Sequence, residues 1–286
     1  MKVLVTGYKG QLGYDVVKEL TLRGFESVGT DLQDFDITDR DATLGFIRNY
    51  APDVIVHCAA YTAVDKAEDD IEMCRKVNVD GSENLAIAAK ELDAAMLYVS
   101  TDYVYGGNGE APFEVTDPTD PQSVYGRTKL EGEKAVCRNV NKHFIVRTSW
   151  VFGINGNNFV RTMLRLGAER DELRVVADQI GSPTYTPDLA RLICDLIVTD
   201  KYGIYHGTNE KYCSWAEFAE AIMKLGNRKA KIKHIPSSEY PAKARRPLNS
   251  RLSKACLDNA GIKRLPTWQN ALERYIAELK NKGELM

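Results

Sequence analysis

A short apolar run, Lys2-Val-Leu-Val-Thr6, leads straight into Gly7-Tyr-Lys-Gly10-Gln-Leu-Gly13, and Leu12, Val16 and Leu20 then follow four apart. The run reads as a buried parallel strand and the spacing as a helix. Glycines between a strand and a helix have a mechanical job. They let the backbone turn sharply and approach a pyrophosphate at the helix N-terminus, where free N–H groups point outward. A plain tight turn is the alternative. An acid after the next strand strengthens the dinucleotide signal, and here Phe25–Thr30 is followed by Asp31.

Asp31 can bond an adenosine ribose and repel a 2′-phosphate, which favours NADH. Lys9, inside the glycine turn, can attract that phosphate. NADH and NADPH therefore both stay open. Asp36-Ile37 suits an adenine edge and face, or Asp36 caps the helix expected over Asp39–Tyr50. A third strand, Asp53–Cys58, runs into Ala59-Ala60-Tyr61-Thr62. Small residues there let a cofactor lie against the backbone, at the edge where open α/β sheets bind ligands. His57 sits within this apolar strand and reads as a satisfied core group. Two helical segments, Asp69–Val79 and Gly81–Leu92, precede the strand Ala95–Ser100, which delivers Thr101 to the same edge.

Tyr125 and Lys129 are four apart, so a helix sets both on one face, one turn from each other. A nearby ammonium favours the phenolate, which helps a phenol of ordinary pKa near ~10 exchange protons at neutral pH. Thr101 can offer a hydroxyl to the same reacting oxygen. An ordinary amphipathic helix with an exposed lysine is the competing reading, and the cofactor signal upstream weighs against it. Asp102 is a substrate acceptor or a turn residue. Trp150 is a stacking platform or a packing anchor. The Gly/Pro/Asp-rich stretch 106–123 is long enough to form a cover over the site.

This alternation implies an α/β fold, a Rossmann-type doubly wound parallel sheet, with residues 1–150 as the dinucleotide-binding domain. Past Trp150 the alternation breaks. Residues 151–286 read as a smaller mixed α/β substrate domain with some segments returning to the sheet. Within them we expect helices over Asn157–Gly167, from Pro187 to about Val198, from a capping box at Ser214 and Glu217, near Ser250, and over Thr267–Leu279. Strands are expected at Ile204–Gly207 and Lys231–Ile235, and Gln179–Thr184 is expected to be a loop. Arg246 can grip a diphosphate with two parallel hydrogen bonds, or it belongs to solvated surface.

Composition narrows the function. A net charge of −2 gives no basic bias toward nucleic acid. No apolar run reaches membrane-spanning length, and the chain starts in a strand pattern rather than a signal peptide. The six cysteines form no Cys-x-x-Cys pair, against a zinc site or a disulfide framework. A cytoplasmic protein with no metal ligand is expected.

Several runs together resemble the dTDP-4-dehydrorhamnose reductase family of the extended short-chain dehydrogenase/reductase superfamily. They are Thr6–Gly13, Ala63-Val-Asp-Lys-Ala-Glu68, Ser100-Thr-Asp-Tyr-Val104, Tyr125-Gly-Arg-Thr-Lys129, Arg147-Thr-Ser-Trp150, Gly156-Asn-Asn-Phe159, Gly181-Ser-Pro-Thr184 and Arg246-Pro247. The resemblance spans nearly the whole chain. It implies hydride transfer from NADPH or NADH to C4 of dTDP-4-dehydro-L-rhamnose, giving dTDP-L-rhamnose for cell-surface polysaccharide. It also implies residue roles. Tyr125 protonates the developing alkoxide, Lys129 lowers the pKa of Tyr125 and holds the nicotinamide ribose, and Thr101 bonds the carbonyl oxygen. Gly10, Gln11 and Leu12 meet the cofactor phosphates, Asp31, Asp36 and Ile37 its adenosine end, and Ala60, Tyr61 and Thr62 its middle. Thr101, Asp102 and Trp150 touch the deoxysugar. Some members dimerise through Mg2+ held by glutamates near the first helix. This chain departs from that pattern with Asp15 and is expected to be a monomer or a homodimer.

Three rivals follow from the same scaffold. Dehydratases resemble each other in an Asp-Glu pair after the threonine, where this chain has Asp102-Tyr103. An epimerase would retain its NAD through the cycle. A non-catalytic regulatory binding subunit shares the fold as well.

Overall fold

The burial of the first strand on both faces shapes the whole molecule. In the computed structural model, which describes residues 1–285, β1 (Lys2–Thr6) turns Val3 and Val5 to one face and Leu4 to the other, and all three are fully buried. A strand buried on both faces needs a layer on each side. The chain supplies them with α1 (Gln11–Leu22), β2 (Glu26–Thr30), α2 (Arg40–Tyr50), β3 (Val54–His57), α3 (Val64–Ala67), α4 (Ile71–Arg75), a π-helical turn (Lys76–Asp80), α5 (Gly81–Glu91), β4 (Ala95–Thr101), α6 (Val124–Asn139) and β5 (His143–Thr148). Val3 and Val5 pack with Val16 and Leu20 of α1. Leu4 packs with Ile47 of α2, Leu85 of α5 and Val136 of α6.

Beyond β5 come β6 (Val151–Phe152), α7 (Phe159–Glu169), β7 (Glu172–Val176), β8 (Ile180–Gly181), β9 (Thr184–Tyr185), α8 (Thr186–Leu196), β10 (Gly203–His206), β11 (Cys213–Ser214), α9 (Trp215–Leu225), β12 (Lys231–Ile235), β13 (Asn249–Ser250), α10 (Ala255–Asn259) and α11 (Trp268–Asn281). The main sheet has the order β10-β5-β4-β3-β1-β2, parallel throughout. Two segments from the second half join this layer. β10 forms its edge, and α8 shares the core of α1 through Leu189 and Ile193. A separate core holds Phe152, Phe218, Leu272 and Tyr275, from β6, α9 and α11. Strand order reverses between β1 and β3, and such a switch point opens a crevice at the strands' C-terminal ends.

The structure corrects several local expectations. The segment near Ser250 is strand β13, paired with β8, and the helix comes later at α10. Gln179–Thr184 contains β8 and the start of β9. These two-residue strands exist only because distant partners supply their hydrogen bonds, which local periodicity does not encode. The segment Asp69–Val79 is broken into α4 and the π-helical turn, and strand β7 is an addition. Stretch 106–123 is no loose cover. Gly107 O accepts from Asn249 N at 2.9 Å, Phe113 N donates to Arg251 O at 2.9 Å, and Phe113 O accepts from Ser253 N at 2.8 Å. The capping box forms as expected, with Glu217 N donating to Ser214 Oγ at 3.1 Å and Ser214 N to Glu217 Oε2 at 2.7 Å.

Candidate active site

Backbone geometry builds the first part of the site. Gly7 has φ +70°, which disfavours any side chain. A Cβ on Gly7 would lie 2.7 Å from the Ala59 backbone, and one on Gly13 would lie 2.3 Å from Gly7 O. Gly10 precedes α1 in an extended conformation with no side-chain cap, so the first N–H groups of the helix have no intrahelical acceptor. Gly7, Gly10, Gln11, Leu12, Gly13, Asp31, Ala60 and Thr62 all line one cavity of about 640 Å³, together with Thr101, Asp102, Tyr125, Lys129 and Trp150. A cradle closed to any Cβ beside an uncapped helix N-terminus fits a dinucleotide.

Three of the expected cofactor-binding residues, Asp36, Ile37 and Tyr61, do not line this cavity. Tyr61 turns its hydroxyl to Asp70 at 3.3 Å, while Asn78 of the π-helical turn holds its backbone N–H at 2.8 Å. Asp36 is exposed and accepts from Thr38 N at 2.8 Å, and Asp39 caps α2 in its place. Ile37 packs against Gly81 beside the Leu44 and Leu85 cluster. At the rim, the Asp31 carboxylate accepts from Leu32 N at 2.9 Å and Lys9 N at 3.2 Å, while the Lys9 ammonium bonds Gln33.

The reacting groups converge from two elements. β4 ends at Thr101. α6, capped by Ser123, carries Tyr125 and Lys129. Thr101 and Tyr125 face the same cavity. Burial dominates both charged forms here. It pushes the Tyr125 phenol well above its ordinary value and pulls Lys129 down to about 7. The lysine, almost wholly buried, lies 3.9 Å above the Tyr98 ring. The expected lowering of the phenol's pKa by Lys129 is not seen: burial is the largest effect on Tyr125, and the neighbouring Asp102 carboxylate adds to the rise. His57 is a satisfied core group. Its Nε2–H donates to Ser82 Oγ at 3.1 Å, because Ser82 already donates to Asn78 O, and Thr6 completes the ring's bonding at 2.7 Å.

Around this trio lie residues from the far half of the chain. Asp102 is buried and accepts from Thr101 Oγ1 at 3.0 Å and Ser250 Oγ at 2.5 Å, and burial raises its carboxyl to about 6. Trp150, at φ +50°, stacks on Trp215 with ring centroids 3.7 Å apart, and both rings line the cavity. Arg246 lines a second cavity, also about 640 Å³, which shares Tyr103, Trp150 and Trp215 with the first. Its guanidinium meets Asp65 Oδ2 at 2.5 Å. Asp15 is buried between α1 and α8 and accepts from Thr186 Oγ1 at 2.5 Å, so it offers no exposed carboxylate to a shared ion. Among the described residues no group of three or more His, Cys, Asp or Glu is arranged to hold a metal, and no helix is long and apolar enough to cross a membrane.

Behind the site runs a buried network that sequence reasoning missed. Glu133, one turn past Lys129 on α6, pairs with Arg147 at 2.7 Å and accepts from Ser100 Oγ at 2.5 Å. Arg147 Nη1 donates to Tyr105 OH at 2.7 Å, and Tyr105 OH bonds His206 Nε2 at 2.7 Å. The spacing of Tyr125, Lys129 and Glu133 was the available signal.

Comparison with known proteins agrees with this geometry. The family model described as "RmlD substrate binding domain" matches residues 1–281. The dTDP-4-dehydrorhamnose reductase of Aggregatibacter actinomycetemcomitans is 42% identical over 96% of this chain and 98% of its own. A crystal structure of a dTDP-4-dehydrorhamnose reductase from Clostridium acetobutylicum superposes with a TM-score of 0.96 at 42% identity, covering 98% of this chain and 100% of that one. Another, from Bacillus anthracis in complex with NADP, gives 0.95 at 41% identity over 97% and 99%. With its glycine cradle, its Thr101–Tyr125–Lys129 trio and this likeness along its whole length, the chain belongs to the dTDP-4-dehydrorhamnose reductase family.

Proposed function

We propose that the protein reduces the C4 keto group of dTDP-4-dehydro-L-rhamnose to give dTDP-L-rhamnose, in the cytoplasm. The convergence of Thr101, Tyr125 and Lys129 on a cavity that also contains the uncapped N-terminus of α1 carries the reading. Bound NADPH supplies hydride, and the NADP of the similar Bacillus anthracis structure supports that choice of cofactor.

The chain's own residues do the rest. The N–H groups at Gln11, Leu12 and Gly13 receive the pyrophosphate. Asp31 faces the adenosine ribose, and Ala60 and Thr62 leave the backbone open along the middle of the cofactor. Thr101 and Tyr125 bond the keto oxygen, and Tyr125 gives its proton to the alkoxide as charge develops. Lys129 holds the nicotinamide ribose and offsets the charge left on Tyr125. Asp102 and Trp150 position the deoxysugar. Arg246 binds the diphosphate in the adjoining cavity, so residues from about 151 onward act mainly in substrate binding.

The test is spectrophotometric. NADPH and NADH absorbance is followed with enzymatically generated dTDP-4-dehydro-L-rhamnose, beside Tyr125→Phe. We expect rapid oxidation by the wild type and a loss on the order of 10²-fold or more in the variant. A folded wild type that oxidises neither cofactor sinks the reductase reading and brings the non-catalytic binding subunit forward.

A further inference from the structure

Asp102 is held from two sides by residues nearly 150 positions apart. From its own strand end, Thr101 Oγ1 donates to Oδ1 at 3.0 Å. From β13, in the second half of the chain, Ser250 Oγ donates to Oδ2 at 2.5 Å. All three side chains are buried. Thr101 has one hydroxyl proton. While it points to Asp102, the Thr101 oxygen is left as an acceptor, and the Tyr103 N–H bonds to it at 3.2 Å.

Reduction needs that proton elsewhere. To bond a keto oxygen, Thr101 must turn its hydrogen away from Asp102. A buried carboxylate that loses a donor is costly. The cost is smaller if a second donor stays in place, and Ser250 is that donor. We propose that Ser250 is a positioning residue of the reduction, holding the Asp102 carboxylate satisfied so that Thr101 is free to turn to the substrate. The burial that raises Asp102 to about 6 agrees with a carboxylate that depends on its donors. Ser250 also lines the second cavity, beside Trp150 and Arg246. The strand that frames the substrate cavity is therefore the one that steadies the catalytic edge of the main sheet.

The inference rests on the reductase reading, and its test separates the two. Ser250→Ala removes the donor. Ser250→Cys nearly preserves the volume but leaves only a weak thiol donor. The cysteine variant keeps an atom at the γ position, so it carries the test if the alanine variant does not fold. We expect kcat to fall about tenfold in both variants with KM within about twofold, as for a lost hydrogen bond to a charged group. In a Thr101→Ala background the same substitutions should cost less than about twofold, because the residue they serve is gone. A Ser250→Cys enzyme with wild-type kcat overturns the proposal and leaves a packing role. An undiminished loss in the Thr101→Ala background overturns it too, since Ser250 would then act by another route. A wild type that consumes no NADPH overturns the reductase reading, and this inference with it.

Discussion

Asp65 and Arg246, 181 residues apart, meet at 2.5 Å where the two halves of the chain face each other. Asp65 lies on α3, and Ala244 N also donates to it at 3.0 Å. The contact joins the Ala63-Val-Asp-Lys run to the Arg246-Pro247 run and sets the guanidinium on the wall of the second cavity.

The pair is partly exposed, so its removal should cost little stability. Arg246→Ala should instead raise KM for the nucleotide sugar about tenfold or more, with kcat nearly unchanged, as for lost uniform binding. Steady-state kinetics check this. An unchanged KM would mean that Arg246 is a tether between halves and no anion ligand.

Lys129 carries a pH prediction. The lysine is pulled down to about 7 by burial, so its charge is present below that pH and lost above it. kcat/KM reports the free enzyme. It should decline as pH rises through about 7, with the limb missing in Lys129→Arg, whose guanidinium does not titrate in this range. The same depression means that folding favours neutral lysine. Wild-type stability should therefore gain from this group as pH rises from about 7 toward 10, and a Lys129→Met variant should lose that gain.

Asp15 works with the opposite sign. Its carboxyl is raised to about 6 in the fold against 3.8 in the open chain, chiefly by burial. Glu278 raises it further, and Lys18, Lys282 and the Thr186 hydroxyl act against the rise. The folded state then binds more protons between about pH 4 and 6, and this contribution to stability is lost as pH rises through that window. Thermal unfolding of Asp15→Asn should show the difference from wild type shifting in favour of the variant by about 2 kcal/mol between pH 4 and pH 8. A difference independent of pH would contradict the buried, proton-holding carboxyl.

Glu133 and Arg147 form an ion pair whose side chains are each only 4% exposed. Breaking one partner leaves the other charge buried. Glu133→Gln should destabilise by about 3 kcal/mol or more, read from the urea midpoint. Arg147 would keep the glutamine carbonyl oxygen, the Tyr105 hydroxyl and a backbone carbonyl as acceptors, but it would lose the negative charge that pairs with it.

Much of this was readable from local order. The glycine cradle, the strand-to-edge delivery of Thr101 and the one-turn spacing of Tyr125 and Lys129 depend on residues close in sequence. Strand alternation, helix period and φ preference act over a few positions, so they leave a trace there. Family resemblance carried the chemistry further than spacing alone, yet it assigned Asp36, Ile37 and Tyr61 to the cofactor. The structure puts the first at a solvent-exposed turn, and none of the three side chains lines the cavity.

What tertiary structure alone decided lies in contacts between distant segments. Ser250 became a strand residue because β8 offered it hydrogen bonds, and that pairing brought its hydroxyl to Asp102. Gly107 and Phe113 are clamped by residues 249–253, which no local pattern announces. The balance at Tyr125 and Lys129 was also out of reach. A neighbour's charge can be read from spacing, but the loss of water around both groups depends on every element packed over them, and here that loss is the larger effect.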